Sequence, residues 1–218
     1  MNPWLAVSVA GAELWLLAEK AVYWPAERVL LVADAHFGKA AVYRALGQPV
    51  PHGTTATNLA VLDTLLARHC CEELIFLGDF LHGRAAQGSA SLDALLAWRH
   101  SQPHLRMTLI RGNHDQRAGD PPAALRMAVV DEPLLRGPLA LRHEPASHPT
   151  HHVLAGHLHP VYLLRGAGRQ RLRLPCFQLG RQVTLLPAFG AFTGGFAVTR
   201  KPGVQLVLAS AQGVWALP

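Results

Sequence analysis

The chain has 218 residues, half of them hydrophobic and 16% charged, with 20 Lys and Arg against 14 Asp and Glu for a net charge of +6. That length suits one domain with a substantial core, and the high apolar fraction with low charge density excludes a disordered chain. Three cysteines, two of them adjacent (Cys70 and Cys71), exclude a disulfide scaffold and fit a reducing cytosol.

The N-terminus, Met-Asn-Pro-Trp, lacks the positive region of a signal peptide, and Glu13 closes the short apolar stretch behind it. No apolar run approaches the roughly 20 residues of a membrane span, so a cytoplasmic protein with no membrane partner is expected. Glu13–Leu17 and Lys20–Trp24 read as a hairpin of two short strands. Val29–Ala33 is a continuous apolar run ending at Asp34, the pattern of a buried central strand. A polar stretch marked by Gly47, Pro49, Pro51 and Gly53 follows. The spacing of Leu59, Leu62, Leu65 and Leu66 predicts a helix from about Thr57 to His69. Leu74–Leu77 is a second buried strand, Ser91 opens a second amphipathic helix, and Met107–Ile110 is a third strand. Strands alternating with helices imply parallel pairing with crossovers.

The second half changes character. Short strands recur at Leu139–Arg142, His152–Ala155, Val161–Leu164, Gln170–Leu174, Val183–Leu186, Phe196–Thr199 and Val204–Leu208, between Gly and Pro turns. This predicts mostly antiparallel sheet with little helix. No repeat or low-complexity linker divides the halves, so residues 1–218 are expected to form a single α/β domain of two packed sheets.

Thirteen histidines nearly equal the acidic count, and histidine is the commonest metal ligand and a proton shuttle. Five polar clusters each follow an apolar strand, at the edge where open α/β sheets place their sites. Asp34-Ala35-His36 puts a carboxylate and an imidazole at i and i+2, on one face of extended chain. By itself it reads equally as a helix N-cap aspartate beside a surface histidine. Gly78-Asp79 offers a carboxylate with two oxygens at a strand end; an aspartate in a turn is the plainer alternative. Gly112-Asn113-His114-Asp115 points an amide oxygen and an imidazole in different directions; Asn-His in a plain turn is the alternative. His143 closes Leu139–Arg142, where a structural role is the commoner one. Gly156-His157-Leu158-His159 sets two imidazoles on one face, for which metal binding is the better reading.

In that order the five blocks resemble the signature of the calcineurin-like metallophosphoesterases. The resemblance implies a four-layer α-β-β-α sandwich of two mixed sheets with a binuclear metal centre at the sheet edges. By the same resemblance Asp34, His36 and His159 hold one ion, Asn113, His143 and His157 hold the other, and Asp79 bridges both. His114 matches the histidine beside the scissile phosphate, the expected proton donor or electrostatic clamp, so His114 and Asp79 are the expected catalytic residues. Two cations ~4 Å apart neutralise a phosphodiester's charge and hold attacking and leaving oxygens in line. Carboxylate, amide and imidazole donors without thiolate suit Mn²⁺, Fe²⁺ or Zn²⁺ without selecting among them.

Three further stretches resemble a smaller group, the DNA ligase-associated metallophosphoesterases of the PdeM type. These are Phe37-Gly38-Lys39-Ala40 with Arg44, Gly47, Pro49-Val50-Pro51 and Gly53-Thr54-Thr55; Gly78 to Arg84, with His82 where many relatives carry Asp or Asn; and Leu186 to Gly195. The group resemblance implies a Mn²⁺-dependent DNA endonuclease associated with an ATP-dependent DNA ligase, a helicase and an exonuclease in repair. Lys39, Arg44, His82 and Arg84 are the candidate substrate contacts. Arg165, Arg169, Arg171 and Arg173 could grip phosphates or form a solvated strand face. The basic balance favours a polyanionic partner. A small-molecule phosphohydrolase of the same fold, acting on cyclic nucleotides or phosphomonoesters, is the alternative, and a non-catalytic scaffold a lesser one.

Overall fold

Val29–Val32 is buried on both faces, with Leu30 and Val32 in one apolar cluster and Val29 and Leu31 in another. A strand of this kind needs cover on two sides, and the computed structural model, which describes residues 2–50, 53–84, 86 and 90–218, supplies it. Pro51, one of the turn residues noted above, lies outside the described residues. The first sheet has seven strands in chain order: β1 (Trp4–Val9), β2 (Ala12–Leu17), β3 (Val22–Trp24), β4 (Val29–Val32), β5 (Glu73–Leu77), β6 (Arg106–Ile110) and β7 (Ala128–Val130). Strands β1 to β4 pair antiparallel and β4 to β7 parallel. The parallel pairs are crossed over by α1 (Lys39–Ala45) and α2 (Thr54–His69), then α3 (Ala90–Ser101), then α4 (Asn113–Ala118). Leu59, Leu62, Leu65 and Leu66 of α2 and Leu95 and Trp98 of α3 pack onto Leu74, Phe76, Met107 and Leu109, forming the outer layer.

The second sheet contains β8 (Leu134–Arg136), β9 (Leu139–Arg142), β10 (His152–Ala155), β11 (Pro160–Arg165), β12 (Arg171–Leu179), β13 (Val183–Leu185), β14 (Phe196–Val198), β15 (Gln205–Ser210) and β16 (Gly213–Ala216). Its main path is β14-β11-β12-β13-β10-β9-β8, with β15 joining β12 to β16. Strand alternation sends Leu139, Leu141, Leu154, Phe177, Val207 and Ala209 inward, against Leu31, Ile75, Leu77 and Ile110 of the first sheet. Arg136 of β8 pins the sheets together, donating to Glu73 at 2.6 Å and to Glu27 at 3.0 Å.

The α/β sandwich of two mixed sheets is as the sequence leads one to expect. Helical cover belongs to the first sheet: beyond Ala118 the described residues form a single 3₁₀ turn, Ala123–Leu125, and the outer face of the second sheet carries two small apolar clusters. The pairing within that sheet differs from the antiparallel expectation at its centre. Strand β10 lies parallel to both β9 and β13, and β11 parallel to β14. The β9–β10 crossover, residues 143–151, contains no helix, so the strand–helix–strand pattern that reveals parallel pairing is missing there. Helix α1 falls in the stretch read as polar loop, and β1, with its alternating exposure, was hidden in an N-terminal run too short to pattern. Among the described residues no helix is long and apolar enough to cross a membrane.

Candidate metal centre

The parallel strands of both sheets end at the same place. Asp34 and His36 follow β4, Asp79 follows β5, and Asn113 and His114 open α4 after β6. From the other sheet His143 follows β9, and His157 and His159 follow β10. Asp34, His36, Asp79, His157 and His159 all have positive φ, between 45° and 67°. Non-glycine residues rarely adopt this region, and each costs of order 1–3 kcal/mol. The backbone is bent at these positions, which turns the side chains into one small volume instead of letting them alternate across a strand.

Two glycines allow the sheet ends to touch there. Gly78 has φ +75°, and a Cβ on it would stand 2.2 Å from His143 Nδ1. At Gly156 a Cβ would stand 2.6 Å from Asp34 Oδ2. Each glycine belongs to one sheet and abuts a candidate ligand of the other.

The donor atoms fall into two adjoining sets. In the first, His159 Nε2 lies 3.4 Å from Asp34 Oδ1, and His36 Nε2 lies 3.6 Å from Asp79 Oδ2. Asp34 Oδ1, His36 Nε2 and His159 Nε2 are buried and have no hydrogen-bond partner among the described residues. In the second, His143 Nδ1 donates to Leu77 O at 3.1 Å, which leaves Nε2 with a lone pair. That lone pair meets the Asn113 amide oxygen at 2.9 Å, His157 Nδ1 at 3.0 Å and Asp79 Oδ1 at 3.5 Å. Acceptors turned on one another with little to donate are what a cation between them would require, so the residues fit a pair of divalent ions. Asp79 directs one oxygen to each set. Burial, reinforced by Lys39 and the neighbouring imidazoles, holds His36 far below the ordinary imidazole value and therefore neutral, the form that ligates.

Backbone amides hold both carboxylates in place. Asp34 Oδ2 accepts from His157 N and Asp79 Oδ1 from His114 N, each at 2.9 Å. His114 Nδ1 donates to His82 O at 2.9 Å, so its Nε2 is the nitrogen left for chemistry. The His114 and His82 rings stack with centroids 4.9 Å apart, and His82 Nδ1 reaches His36 Nδ1 at 3.5 Å. His82 thus stands behind His36 and His114 and positions both. Burial, then Lys39 and His114, pull it down to about 4.

Of the other candidate contacts, Lys39 begins α1 and lines a cleft of about 500 Å³ with Tyr43, Ala191, Phe192, Thr193 and Gly194. Burial lowers the Lys39 ammonium, and the charges of Asp79 and Asp34 act against that. Arg44 lies five residues further along the helix, about 140° around its axis at 3.6 residues per turn, so the two cations do not share a face. Arg84 is exposed just past the second block.

Several functional neighbours carried no signal read from the sequence. Tyr43 shares the Lys39 face, its ring 5.7 Å from His82 and 6.0 Å from Phe192. Asp115 is buried, and its carboxylate accepts from Phe80 N at 3.0 Å, Leu81 N at 3.2 Å and Gly112 N at 2.9 Å. Burial pushes its carboxyl up to about 6, against those amides. It braces the second block against the third. An acid three residues after a helix-opening glycine is half of a capping box, the signal that could have found it. Leu186 to Gly195, noted only as a resemblance, crosses between the sheets: Phe189 N donates to Ala33 O at 2.8 Å and Gly190 N to Asp34 O at 3.2 Å.

The model of the calcineurin-like phosphoesterase family matches residues 27–136. The crystal structure of Pseudomonas putida nuclease MPE is 54% identical, covering 98% of this chain and 100% of that one with a TM-score of 0.88. Weaker likeness extends to a protein of unknown function, AQ665 from Aquifex aeolicus (17% identity, 65% and 82% coverage, TM-score 0.40). It also extends to Yfce, a phosphoesterase from E. coli (18% identity, 87% and 97% coverage, TM-score 0.41). A search of curated proteins gives no match.

Proposed function

The chain belongs to the calcineurin-like phosphoesterase family and is a hydrolase of that family, and on that premise we propose that it is a binuclear, Mn²⁺-dependent endonuclease that cuts DNA. The likeness to a nuclease, 54% identical over nearly the whole chain, is the observation that carries the nucleic-acid reading. Asp34, His36 and His159 would hold one ion, Asn113, His143 and His157 the other, with Asp79 shared. Bound ions supply Lewis-acid stabilisation of the charge that develops on a phosphodiester under attack.

The chain's own residues do the rest. Amides of His157 and His114 fix the two carboxylates, so the donor set is pre-organised before substrate arrives. His114, held through Nδ1 by the His82 carbonyl, presents Nε2 to the reacting phosphate, where a proton on that atom passes to the departing oxygen. The stacked His82 ring keeps His114 from turning away. Lys39 meets a phosphate oxygen at the cleft mouth, and Tyr43 and Phe192 offer ring surface to a base. In this reading the enzyme acts in the cytoplasm on strands also handled by an ATP-dependent DNA ligase, a helicase and an exonuclease.

The test is incubation of the purified protein with Mn²⁺ and circular single-stranded DNA, with cyclic nucleotides in parallel. Linearised circles identify an endonuclease. Turnover of cyclic nucleotides with intact circles would overturn the DNA reading in favour of a small-molecule phosphohydrolase.

A further inference from the structure

The charge of this chain is divided along its length. Residues 1–144 hold thirteen Lys and Arg against all fourteen Asp and Glu; residues 145–218 hold seven Lys and Arg and no acidic side chain. In the first part six arginines are paired with acids: Arg28 with Glu72, Arg68 with Glu19, Arg106 with Glu72 and Glu73, Arg111 with Asp120 and Asp131, Arg136 with Glu27 and Glu73, and Arg142 with Glu132. Among the described residues no ion pair involves Arg165, Arg169, Arg171 or Arg173, and these four cluster on the β11–β12 hairpin.

Register places that hairpin. Ala155, at the end of β10, pairs with Leu185, and Leu185 pairs with Gln178 of β12. These three residues mark the sheet edge at which the ligand loops begin. Arg171 lies seven residues beyond Gln178 along β12, so the hairpin runs about 20 Å past that edge at ~3.3 Å per residue. It also starts at the centre itself, because Pro160 opens β11 immediately after His159.

Alternation decides which way the cations face. Arg171 and Arg173 are on the same side of β12 as Phe177, which is packed between the sheets. Arg165 pairs directly with Arg171 and therefore shares that side. This face continues the one that packs between the sheets, and β11 returns along it from Pro160, the residue after His159. Arg173 is tied down, donating to Gly195 O at 2.7 Å, and so links the hairpin to the segment that lines the Lys39 cleft. Two arginines directly opposite in an antiparallel pair repel and destabilise it, and nothing acidic in the chain's last third relieves them. A polyanion would.

We propose that the β11–β12 hairpin is a phosphate-gripping arm that holds a DNA strand several nucleotides from the phosphate being cut. The inference rests on the endonuclease reading above and extends it to a binding surface outside the centre. An arm of about 20 Å spans about six nucleotides of a stacked strand at 3.4 Å each. Oligonucleotides shorter than that cannot use both ends of the path.

The test is the triple variant Arg165→Gln/Arg169→Gln/Arg171→Gln, all exposed positions, with Arg173 left in place because of its bond to Gly195. Binding of fluorescein-labelled oligothymidylates of 4 and 20 nucleotides is measured in EDTA across a salt series. Hydrolysis of the 20-mer and of bis(p-nitrophenyl) phosphate is then measured with Mn²⁺. The expected result is weaker binding of the 20-mer by tenfold or more. Its slope of log K against log salt should fall by about 2, at about 0.7 per lost phosphate contact. Binding of the 4-mer and hydrolysis of the small diester should stay at wild-type values. If the variant matches wild type on the 20-mer while wild type cuts it, the arm is refuted and the endonuclease reading stands. If wild type hydrolyses the small diester but neither binds nor cuts the 20-mer, the DNA reading and the arm fall together. An equal loss on all substrates would also overturn the arm, since the arginines would then act on the centre.

Discussion

Replacing Asp79 by asparagine should shift stability in opposite directions with and without divalent ions. The substitution keeps the volume and an oxygen to accept from His114 N, now at 2.9 Å. It removes one of the two buried carboxylates among the candidate ligands, Asp34 and Asp79, which are 0% and 2% exposed. Their close charged or chargeable neighbours are imidazoles, at 3.4 to 3.7 Å, and His36 is held neutral. A buried carboxylate without a paired cation costs several kcal/mol. Taking about 2 kcal/mol as the part relieved, the metal-free variant should melt about 4–8 °C higher than wild type, at about 2–4 °C per kcal/mol for a chain of this size. With ions the sign reverses. Each ion at a hundredfold excess over its Kd contributes about 2.7 kcal/mol, and losing the ligand shared by both sets should remove most of about 5 kcal/mol. Differential scanning fluorimetry in EDTA and along a MnCl₂ titration reads both limbs. A variant that melts lower in EDTA and keeps the full Mn²⁺-induced rise would refute the placement of Asp79 between two ions.

His114→Asn should lower the rate of phosphodiester hydrolysis by about 10²–10⁴ while bound manganese, counted by mass spectrometry, stays unchanged; parallel loss of metal would make His114 a ligand instead. Gly78→Ala combines a left-handed φ, about 1–2 kcal/mol, with overpacking against His143, about 1–3 kcal/mol. Melting should fall by about 4–20 °C and metal content with it, and an unaltered melt would contradict the contact. Lys39→Ala should reduce plasmid nicking at least tenfold more than hydrolysis of a small chromogenic diester, and adding Arg44→Ala should change little, because Arg44 lies on another face of α1. Burial lowers Lys20 from 10.5 to about 8. Folded protein therefore binds fewer protons than unfolded chain between those values, so this group's contribution to stability rises as pH climbs from 8 to 10.5. Urea titrations should show that rise in wild type and a smaller one in Lys20→Met; identical pH slopes would show that Lys20 keeps its ordinary affinity for protons.

The parallel half of the first sheet was legible because each of its strands is a continuous apolar run followed by polar residues, and helices with a leucine stripe separate them. The candidate ligands were legible for the same reason, since a cluster at a strand end needs only the strand to be recognised. What stayed hidden depends on contacts between distant segments. Nothing local at Asp34 or His157 announces a left-handed φ, and the pairing of β10 with β9 and β13 has no helical crossover to reveal it. Asp115 acts through backbone amides 34 and 35 residues away in the chain. Tyr43 belongs to a helix that the glycines and prolines following it disguised as loop. The arm's cations could be seen as arginines, but their position past the sheet edge came from strand register.

The first sheet is built wholly from residues 4–130 and the second from residues 134–216. Asp34, His36, Asp79 and Asn113 come from the earlier part, His143, His157 and His159 from the later. Chains emerge from the ribosome N-terminus first, and early segments begin to organise before later ones exist. A nascent chain that has made only its first sheet holds both carboxylates but lacks three of the four candidate imidazole ligands. Translation order therefore sets assembly order: the donor set stays incomplete until the loops that carry His143, His157 and His159 have been made and the second sheet has closed on the first.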